Sequence, residues 1–413
     1  MLSMRRCHFL TNKRFVRTVL GIETSCDDTA AAVVTEKKQI LSMTCESQLA
    51  NHNRLYGGVA PAAASLWHKQ SIDKVVTQCM DKSGLTFSDL DAVAVSTRPG
   101  LAICLLVGAE YALKICQKWQ KPLVKVHHMR AHALTPRLTD QIDFPYLCLL
   151  ISGGHSLLTL VNGPNDFKLL GSAIDKCVAG EVLDKIARRL RLKNLSPEFE
   201  SISGGQAIEI LASQSKRMPD LEFTPYFPIE ADCNFNFGGI KVSALDLIEK
   251  EEKRQSLKGS QLLTNLPELC FLFQHAVFRQ LARKTQRAIE VCRYKNWMPS
   301  PDSGNPRVLV LSGGVASNDY IRRGLAYVLS HYDYKLVCPD ACLCSDNGAM
   351  IAWNGLESLA GDSNEVLSFE QLRELNSVWV EARELIGEDW RTRVDQVDWQ
   401  IEKQIKLNLI NQL

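Results

Sequence analysis

Twice in this chain an apolar strand runs into a short polar turn and returns as a second apolar strand. Thr18 to Ile22 reads as the first strand, Glu23-Thr24-Ser25-Cys26-Asp27-Asp28-Thr29 as its turn, and Ala30 to Val34 as the return. The pattern restarts at Pro145 to Ile151, with Ser152-Gly153-Gly154-His155-Ser156 as the turn and Leu157 to Val161 as the return. Strands bounded by small polar clusters pair as hairpins. Strands alternating with helices follow each hairpin, and that order demands a mixed sheet covered by helices. The expectation is an α/β protein of two mixed-sheet lobes flanking a cleft. Helices are predicted at about 66–82, 180–192, 203–214 and 267–295, and strands at 39–48, 91–96, 122–126, 308–311 and 334–338. Residues 250–263 read as an exposed connector.

Between the two hairpins lies His127-His128-Met129-Arg130-Ala131-His132, which gathers three of nine histidines. Residues four apart share a helix face, so His128 and His132 can point at one metal ion. The spacing alone fits equally a helix with two hydrogen-bonded histidines. A third ligand from a remote carboxylate would leave coordination positions open, as catalytic sites do. The chain offers one in Ser345-Asp346-Asn347-Gly348. The turns Ser152-Gly153-Gly154 and Ser312-Gly313-Gly314 let backbone N–H groups face an anion with no Cβ in the way. The second precedes a helix, whose N-terminus adds positive potential. Two such turns and an acidic-hydroxyl hairpin are the arrangement of the actin-like ATPase and sugar-kinase superfamily. Asp184 and Glu209 sit on helices after the second hairpin, either to receive ribose hydroxyls or as solvated charges. Neither a Walker A sequence nor a dinucleotide fingerprint occurs.

A chain of 413 residues has room for two domains or one bilobal body. Net charge is +2, so any polyanion must be met by local runs of basic residues. Arg279, Arg283 and Arg287 recur every four residues, with Lys284 beside them; Lys185, Arg188, Arg189, Arg191 and Lys193 form a second run. Each is either an RNA-backbone contact or a solvated face. No stretch reaches transmembrane length, and no membrane partner is expected. The 14 cysteines are scattered through apolar segments, which points to a reducing compartment with buried thiols. Cys338, Cys342 and Cys344 lack a second pair at zinc-finger spacing and read as packing beside a loop. Residues 1–17 carry Arg5, Arg6, Lys13, Arg14 and Arg17 and no acid, which resembles a mitochondrial transit peptide.

Several longer motifs resemble one family. They are Leu20-Gly21-Ile22-Glu23-Thr24-Ser25-Cys26-Asp27-Asp28-Thr29, Tyr56-Gly57-Gly58-Val59, the histidine segment, Leu150-Ile151-Ser152-Gly153-Gly154-His155, Ser312-Gly313-Gly314-Val315-Ala316-Ser317-Asn318 and Ser345-Asp346-Asn347-Gly348-Ala349-Met350-Ile351-Ala352. Over about residues 18–360 the chain is similar to the tRNA N6-adenosine threonylcarbamoyltransferase family, mitochondrial branch. That resemblance implies the bilobal actin-like ATPase/sugar-kinase fold and transfer of threonylcarbamoyl from threonylcarbamoyl-AMP to N6 of the adenosine 3′ of the tRNA anticodon. It implies one divalent ion per subunit, Fe, Zn or Mg, on His128, His132 and Asp346. It implies Leu150, Ile151, Ser152, Gly153 and Gly154 along the adenylate phosphate and acyl group. Asp184, Gly205 and Glu209 would hold the ribose, and Ser317, Asn318 and Ser345 the rest of the nucleotide. Asp27 or Asp28 would take the amine proton. A homodimer in the mitochondrial matrix is expected.

The expected division is a leader at 1–17, an N-terminal lobe at 18–144, a C-terminal lobe at 145–338, a return to the first lobe at 339–365, and an extension at 366–413. Two departures stand out: Arg130 replaces an acidic residue common between the histidines, and Asn234 to Lys241 differs from the family pattern. The rival readings are a metalloprotease, a superfamily kinase and an inactive scaffold. The first would want a His-Glu-x-x-His helix, which is missing.

Overall fold

The computed structural model describes residues 16–174, 177–215, 219–225, 232–259, 261–299, 306–361 and 363–396. The basic leader, but for its last two residues, lies outside the described residues. Among the described residues twelve strands form two sheets. They are β1 (Thr18–Glu23), β2 (Asp28–Thr35), β3 (Ile40–Ser47), β4 (Ala92–Arg98), β5 (Leu123–His127), β6 (Tyr146–Ile151), β7 (Ser156–Gly163), β8 (Asp166–Ser172), β9 (Arg307–Ser312), β10 (Tyr334–Val337), β11 (Val366–Leu367) and β12 (Glu388–Asp389). The first sheet has the order β11-β5-β4-β1-β2-β3 and the second β10-β9-β6-β7-β8-β12.

Both sheets repeat one topology. The expected hairpins are present, β1 on β2 with Gly21 opposite Ala32, and β6 on β7 with Leu149 opposite Leu158. A third antiparallel strand extends each hairpin on one side, β3 or β8. Two parallel strands extend it on the other, β4 then β5, and β9 then β10. This duplicated arrangement is the actin-like ATPase/sugar-kinase architecture. Residues 366–396, within the expected extension, supply an edge strand to each sheet.

Side chains alternate across each strand, which divides the apolar residues between layers. Leu20 and Ile22 join Val75, Val76 and Ala112 in an outer core. Val19 points the other way, into a core shared by both sheets. Cys148, Leu150 and Val310 enter that core from the second sheet, and Met129, Ala131, Met350 and Ile351 fill it. The helices His128–Leu134 and Gly348–Ala360 are therefore the middle layer of the molecule.

The second lobe closes around the 29-residue helix Leu266–Tyr294. Phe273, Val277, Leu281 and Ile289 are buried along it. That corrects the first basic run: Arg287 is only 3% exposed, and Lys284 is buried with its ammonium paired to Asp232. Only Arg283 is exposed in that run. A four-residue spacing puts the cations on one face but does not say that water sees it. In the second run Arg189 pairs with Glu252 at 2.5 Å and Lys185 with Glu181 at 2.7 Å.

Helix Gly238–Arg254 and strand β8 were not anticipated. The expected connector at 250–263 begins as the last turn of that helix, where buried Glu251 accepts hydrogen bonds from Arg254 and Asn265. Its dense charge gave it the composition of a linker.

The tightest joint is between Gly348–Ala360 and the first hairpin. A Cβ on Gly21 would collide with the backbone of Ala352 and Gly348, and one on Gly348 with Ala31 and Ala32. Gly21→Ala is expected to cost about 1–3 kcal/mol of stability, read as a lower urea midpoint at unchanged slope. Gly154→Ala, with open space around it, should leave the midpoint where it is. Equal midpoints for wild type and Gly21→Ala would refute the close contact.

Candidate metal and nucleotide site

Strands β1, β4 and β5 run parallel and end side by side at Glu23, Arg98 and His127. Ligands of open α/β sheets bind beyond such carboxyl ends. His127 caps the short helix that follows, its Nδ1 accepting from the Arg130 N–H at 3.4 Å. From the other direction Asn347 caps Gly348–Ala360 by accepting from the Met350 N–H at 2.9 Å. Its amide also donates to the Ser345 carbonyl at 2.8 Å, which fixes the turn carrying Asp346.

These two helix starts bring His128, His132 and Asp346 together, with their ligand atoms all within 4.8 Å of one another. Asp346 Oδ1 lies 3.0 Å from His132 Nε2 and 3.5 Å from His128 Nε2. Behind His128, the fully buried Glu23 places Oε2 3.1 Å from Nδ1, and Ser25 Oγ is 3.2 Å from the same atom. The other Glu23 oxygen accepts the Ser25 N–H. A proton on Nδ1 held by Glu23 leaves the Nε2 lone pair aimed at the shared centre. Burial opposes charging of His128, but Asp346 and Glu23 outweigh it and push the pKa up to about 9. Burial likewise works against the Asp346 carboxylate, yet His128 and His132 hold it below the usual range. Two converging imidazole nitrogens and a carboxylate oxygen fit a divalent cation. His132 Nδ1 is buried without a hydrogen-bond partner among the described residues.

The turn after β1 flanks this centre. His68 staples it down: its Nε2–H donates to the Cys26 carbonyl at 3.0 Å, and its Nδ1 accepts from the Thr29 hydroxyl at 2.7 Å. Burial first, then the charges of Asp346, Asp27 and Glu23, pushes Asp28 up to about 7 against a hydrogen bond from Ser47. Its Oδ1 is buried with no hydrogen-bond partner among the described residues. Asp27 is also raised, chiefly by burial.

On the second lobe, neighbouring β6 and β9 pair with Leu150 opposite Ser312, so their two glycine turns emerge together. Gly313 has φ 95°, and a Cβ there would sit 2.6 Å from the Ile151 carbonyl oxygen. Burial, and then His128 and His132, lower the pKa of His155 to about 4. The helix His128–Leu134 packs on β6 and β9, the strands that lead into the two glycine turns. The side chains of Leu150 and Ile151 are buried in opposite cores. Within the expected Leu150–Gly154 stretch, only Ser152, Gly153 and Gly154 reach the surface.

The expected nucleotide residues gather around helices Gly204–Ala212 and Asp319–Ser330. Asp184 Oδ1 accepts the Gly205 N–H at 3.2 Å, and Glu209 Oε1 the Asp319 N–H at 2.7 Å. Asn318 is committed to structure: Oδ1 caps the Ile321 N–H at 3.0 Å and Nδ2 donates to Gln274 at 2.7 Å. Ser317 and Ser345 are exposed. The sequence reading gave no role to Glu23 or Ser25. The available signal is an acidic residue at the end of an otherwise uncharged strand.

The family model for tRNA N6-adenosine threonylcarbamoyltransferase matches residues 39–353. A Danio rerio protein named mitochondrial tRNA N6-adenosine threonylcarbamoyltransferase is 43% identical over 369 residues, covering 89% of each chain. The Homo sapiens protein of that name is 43% identical over 357 residues, 86% of this chain and 84% of its own. Among solved structures, a ROK family glucokinase from Streptomyces griseus aligns with 83% of this chain and 100% of its own, at TM-score 0.41 and 15% identity.

Glu23→Gln preserves shape but loses the carboxylate that orients His128. Calorimetric titration with Zn2+ should show affinity reduced by about tenfold or more, with thermal stability near wild type. Wild-type affinity in that variant would remove Glu23 from the site.

Proposed function

The chain belongs to the tRNA N6-adenosine threonylcarbamoyltransferase family, and from that membership we infer how its cleft carries out the reaction. It is a transferase that modifies tRNA by threonylcarbamoylation of an adenosine N6, and its relatives are named mitochondrial. The donor is threonylcarbamoyl-AMP and the acceptor the adenosine 3′ of the anticodon of mitochondrial tRNAs in the matrix. One observation carries the reading: a metal-ligand trio lies beside both the Asp28 turn and the glycine turns.

Gly153, Gly313 and Gly314 receive the donor phosphate on backbone N–H groups and stabilise charge growing on departing AMP, while Ser152 and Gly154 line it with N–H groups bonded inside their own turn. Asp184, Gly205 and Glu209 would hold the ribose, and Ser317, Asn318 and Ser345 the rest of the nucleotide. His128, His132 and Asp346 would hold a divalent ion, which would supply Lewis-acid polarisation of an acyl or phosphate oxygen. Two imidazoles favour Fe or Zn over Mg, which prefers oxygen ligands. Asp28 takes the N6 proton, because its pKa of about 7 suits general base work near neutrality. Met129, Arg130 and Ala131 lie between the histidines, so that helix carries no carboxylate base for a protease.

A second copy of the chain is the proposed partner. Helices Pro61–Ser83 and Ala102–Trp119 lie side by side, with Ser65 Oγ bonded to the Ile103 carbonyl at 3.0 Å. Beside that joint Leu66 is 54% and Ile103 46% exposed. Replacing both by Asp should convert a dimer to a monomer in light scattering; an unchanged mass would exclude this face.

The main test supplies purified protein with threonylcarbamoyl-AMP and mitochondrial tRNA, with peptide and sugar phosphorylation controls, and reads nucleosides by mass spectrometry. Wild type should form the modified adenosine only. His132→Ala should lose both metal and transfer.

The pH dependence follows from Asp28. A base works unprotonated, so the wild-type rate should rise as pH passes upward through about 7. Asp28→Asn should slow transfer by about a hundredfold or more and lose that limb. An Asn variant with the wild-type profile would assign the proton to another group.

A further inference from the structure

Residues 363–396 carry no motif, yet their side chains enter all three cores. Leu372 and Val378 are buried in the outer core of the first lobe, Ile386 in the shared core and Val394 in the core of the second lobe. Backbone bonds secure the path: the Glu381 N–H donates to Thr97 at 2.9 Å, the Gly100 N–H to Ala382 at 3.3 Å, and the Trp390 N–H to Leu169 at 2.9 Å. Between these anchors the segment crosses the carboxyl ends of β4 and β5, where the His128–Leu134 helix begins.

The crossing is built from charge. Arg98, buried at the end of β4, pairs with Glu365 and Glu384 and donates to Thr97 Oγ1 at 3.1 Å. Glu384 Oε2 also lies 3.9 Å from Nε2 of His127, the residue capping the helix. Arg130 Nε donates to the Ile386 carbonyl at 2.8 Å, and its guanidinium lies 5.5 Å from the Phe167 ring centre. Arg98 thus meets two carboxylates behind the helix, and Arg130 meets a carbonyl and a ring. Buried ion pairs add little net stability relative to apolar packing, although removing one partner is costly. What such a cluster supplies is position.

The helix needs that. It has seven residues, too few to hold itself in water. His128 and His132 share a face, while Arg130, two residues from each, is rotated by about 200° to the other side. The metal face and the face held by Ile386 are opposite sides of one short helix.

We propose that Glu365 to Ile386 is a clamp on the metal-ligand helix, with Arg98, Arg130 and Glu384 as its positioning residues. The C-terminal part of the chain then belongs to the active-site machinery, a conclusion that rests on the metal reading of the histidine pair. Glu384 is 34% exposed, so Glu384→Gln removes charge at little risk to folding. Arg130→Met, which keeps the aliphatic bulk, is the second variant. Glu388→Gln is the control, on the same segment but paired to Lys168 and Arg393 away from the helix.

The full-length proteins are titrated with Zn2+, and amide exchange is followed in the metal-free state. Glu384→Gln and Arg130→Met should each bind Zn2+ about tenfold more weakly. In both, amides of residues 128–134 should exchange faster, with Glu388→Gln like wild type in both readouts. Wild-type affinity and exchange in the first two variants would overturn the clamp while leaving the metal site standing. Equal losses in all three would overturn it too, since the segment would then act only through general stability. Indistinguishable Zn2+ binding by wild type and His132→Ala would end the metal reading and the clamp with it.

Discussion

Everything at the centre of this molecule depends on how closely helix Gly348–Ala360 lies against the first hairpin. Gly21 and Gly348 leave no space for a Cβ between them and the opposing backbone. That contact sets the depth of the helix, and Asn347 at its cap then sets the turn that carries Asp346. Glu23 ends the same strand that Gly21 occupies. One backbone contact therefore registers Asp346 against Glu23, and through Glu23 against His128. An interior packed this densely transmits small displacements, so the glycines act on the ligand geometry without touching it.

Three carboxylates share this small volume, and their surroundings separate their roles. Glu23 is held by His128 and the Ser25 amide. Asp346 is held by both imidazoles, which keeps it ionised. Asp28 has neither histidine as partner and keeps a buried oxygen without a bond, so it alone is pushed to the neutral range. Carboxyl groups driven apart in this way mark which one holds charge and which one moves a proton. The same surroundings favour positive charge in the middle, which His128 supplies between Glu23 and Asp346 and which a bound cation would supply in its place.

The hairpins and the helix Leu266–Tyr294 were legible because strand and helix periods are local properties of the chain, whereas the charge-dense helix Gly238–Arg254 was not. His128, His132 and Asp346 were legible through spacing and motif, and the structure brings them together. Glu23 was not, because its function comes from pairing with a residue more than a hundred positions away. Arg287 misled for a related reason. Its helix passes through the interior, and periodicity identifies a face without saying what covers it. Asn318 belonged to a recognised motif, yet its side chain is used as a helix cap.

The C-terminal segment was the least legible part, and its geometry explains why. It contributes two strands of two residues each, too short for any periodic pattern. Those strands nevertheless lie at opposite edges of the architecture, β11 on β5 in the first sheet and β12 on β8 in the second. Short edge strands satisfy backbone groups that would otherwise be open to pairing with another chain. Because one continuous segment does this for both sheets, any change in the angle between the lobes must be absorbed between Leu367 and Glu388. That stretch contains Glu384 and Ile386, the residues in contact with Arg98 and Arg130. One length of backbone thus borders both sheets and holds the helix that carries His128 and His132.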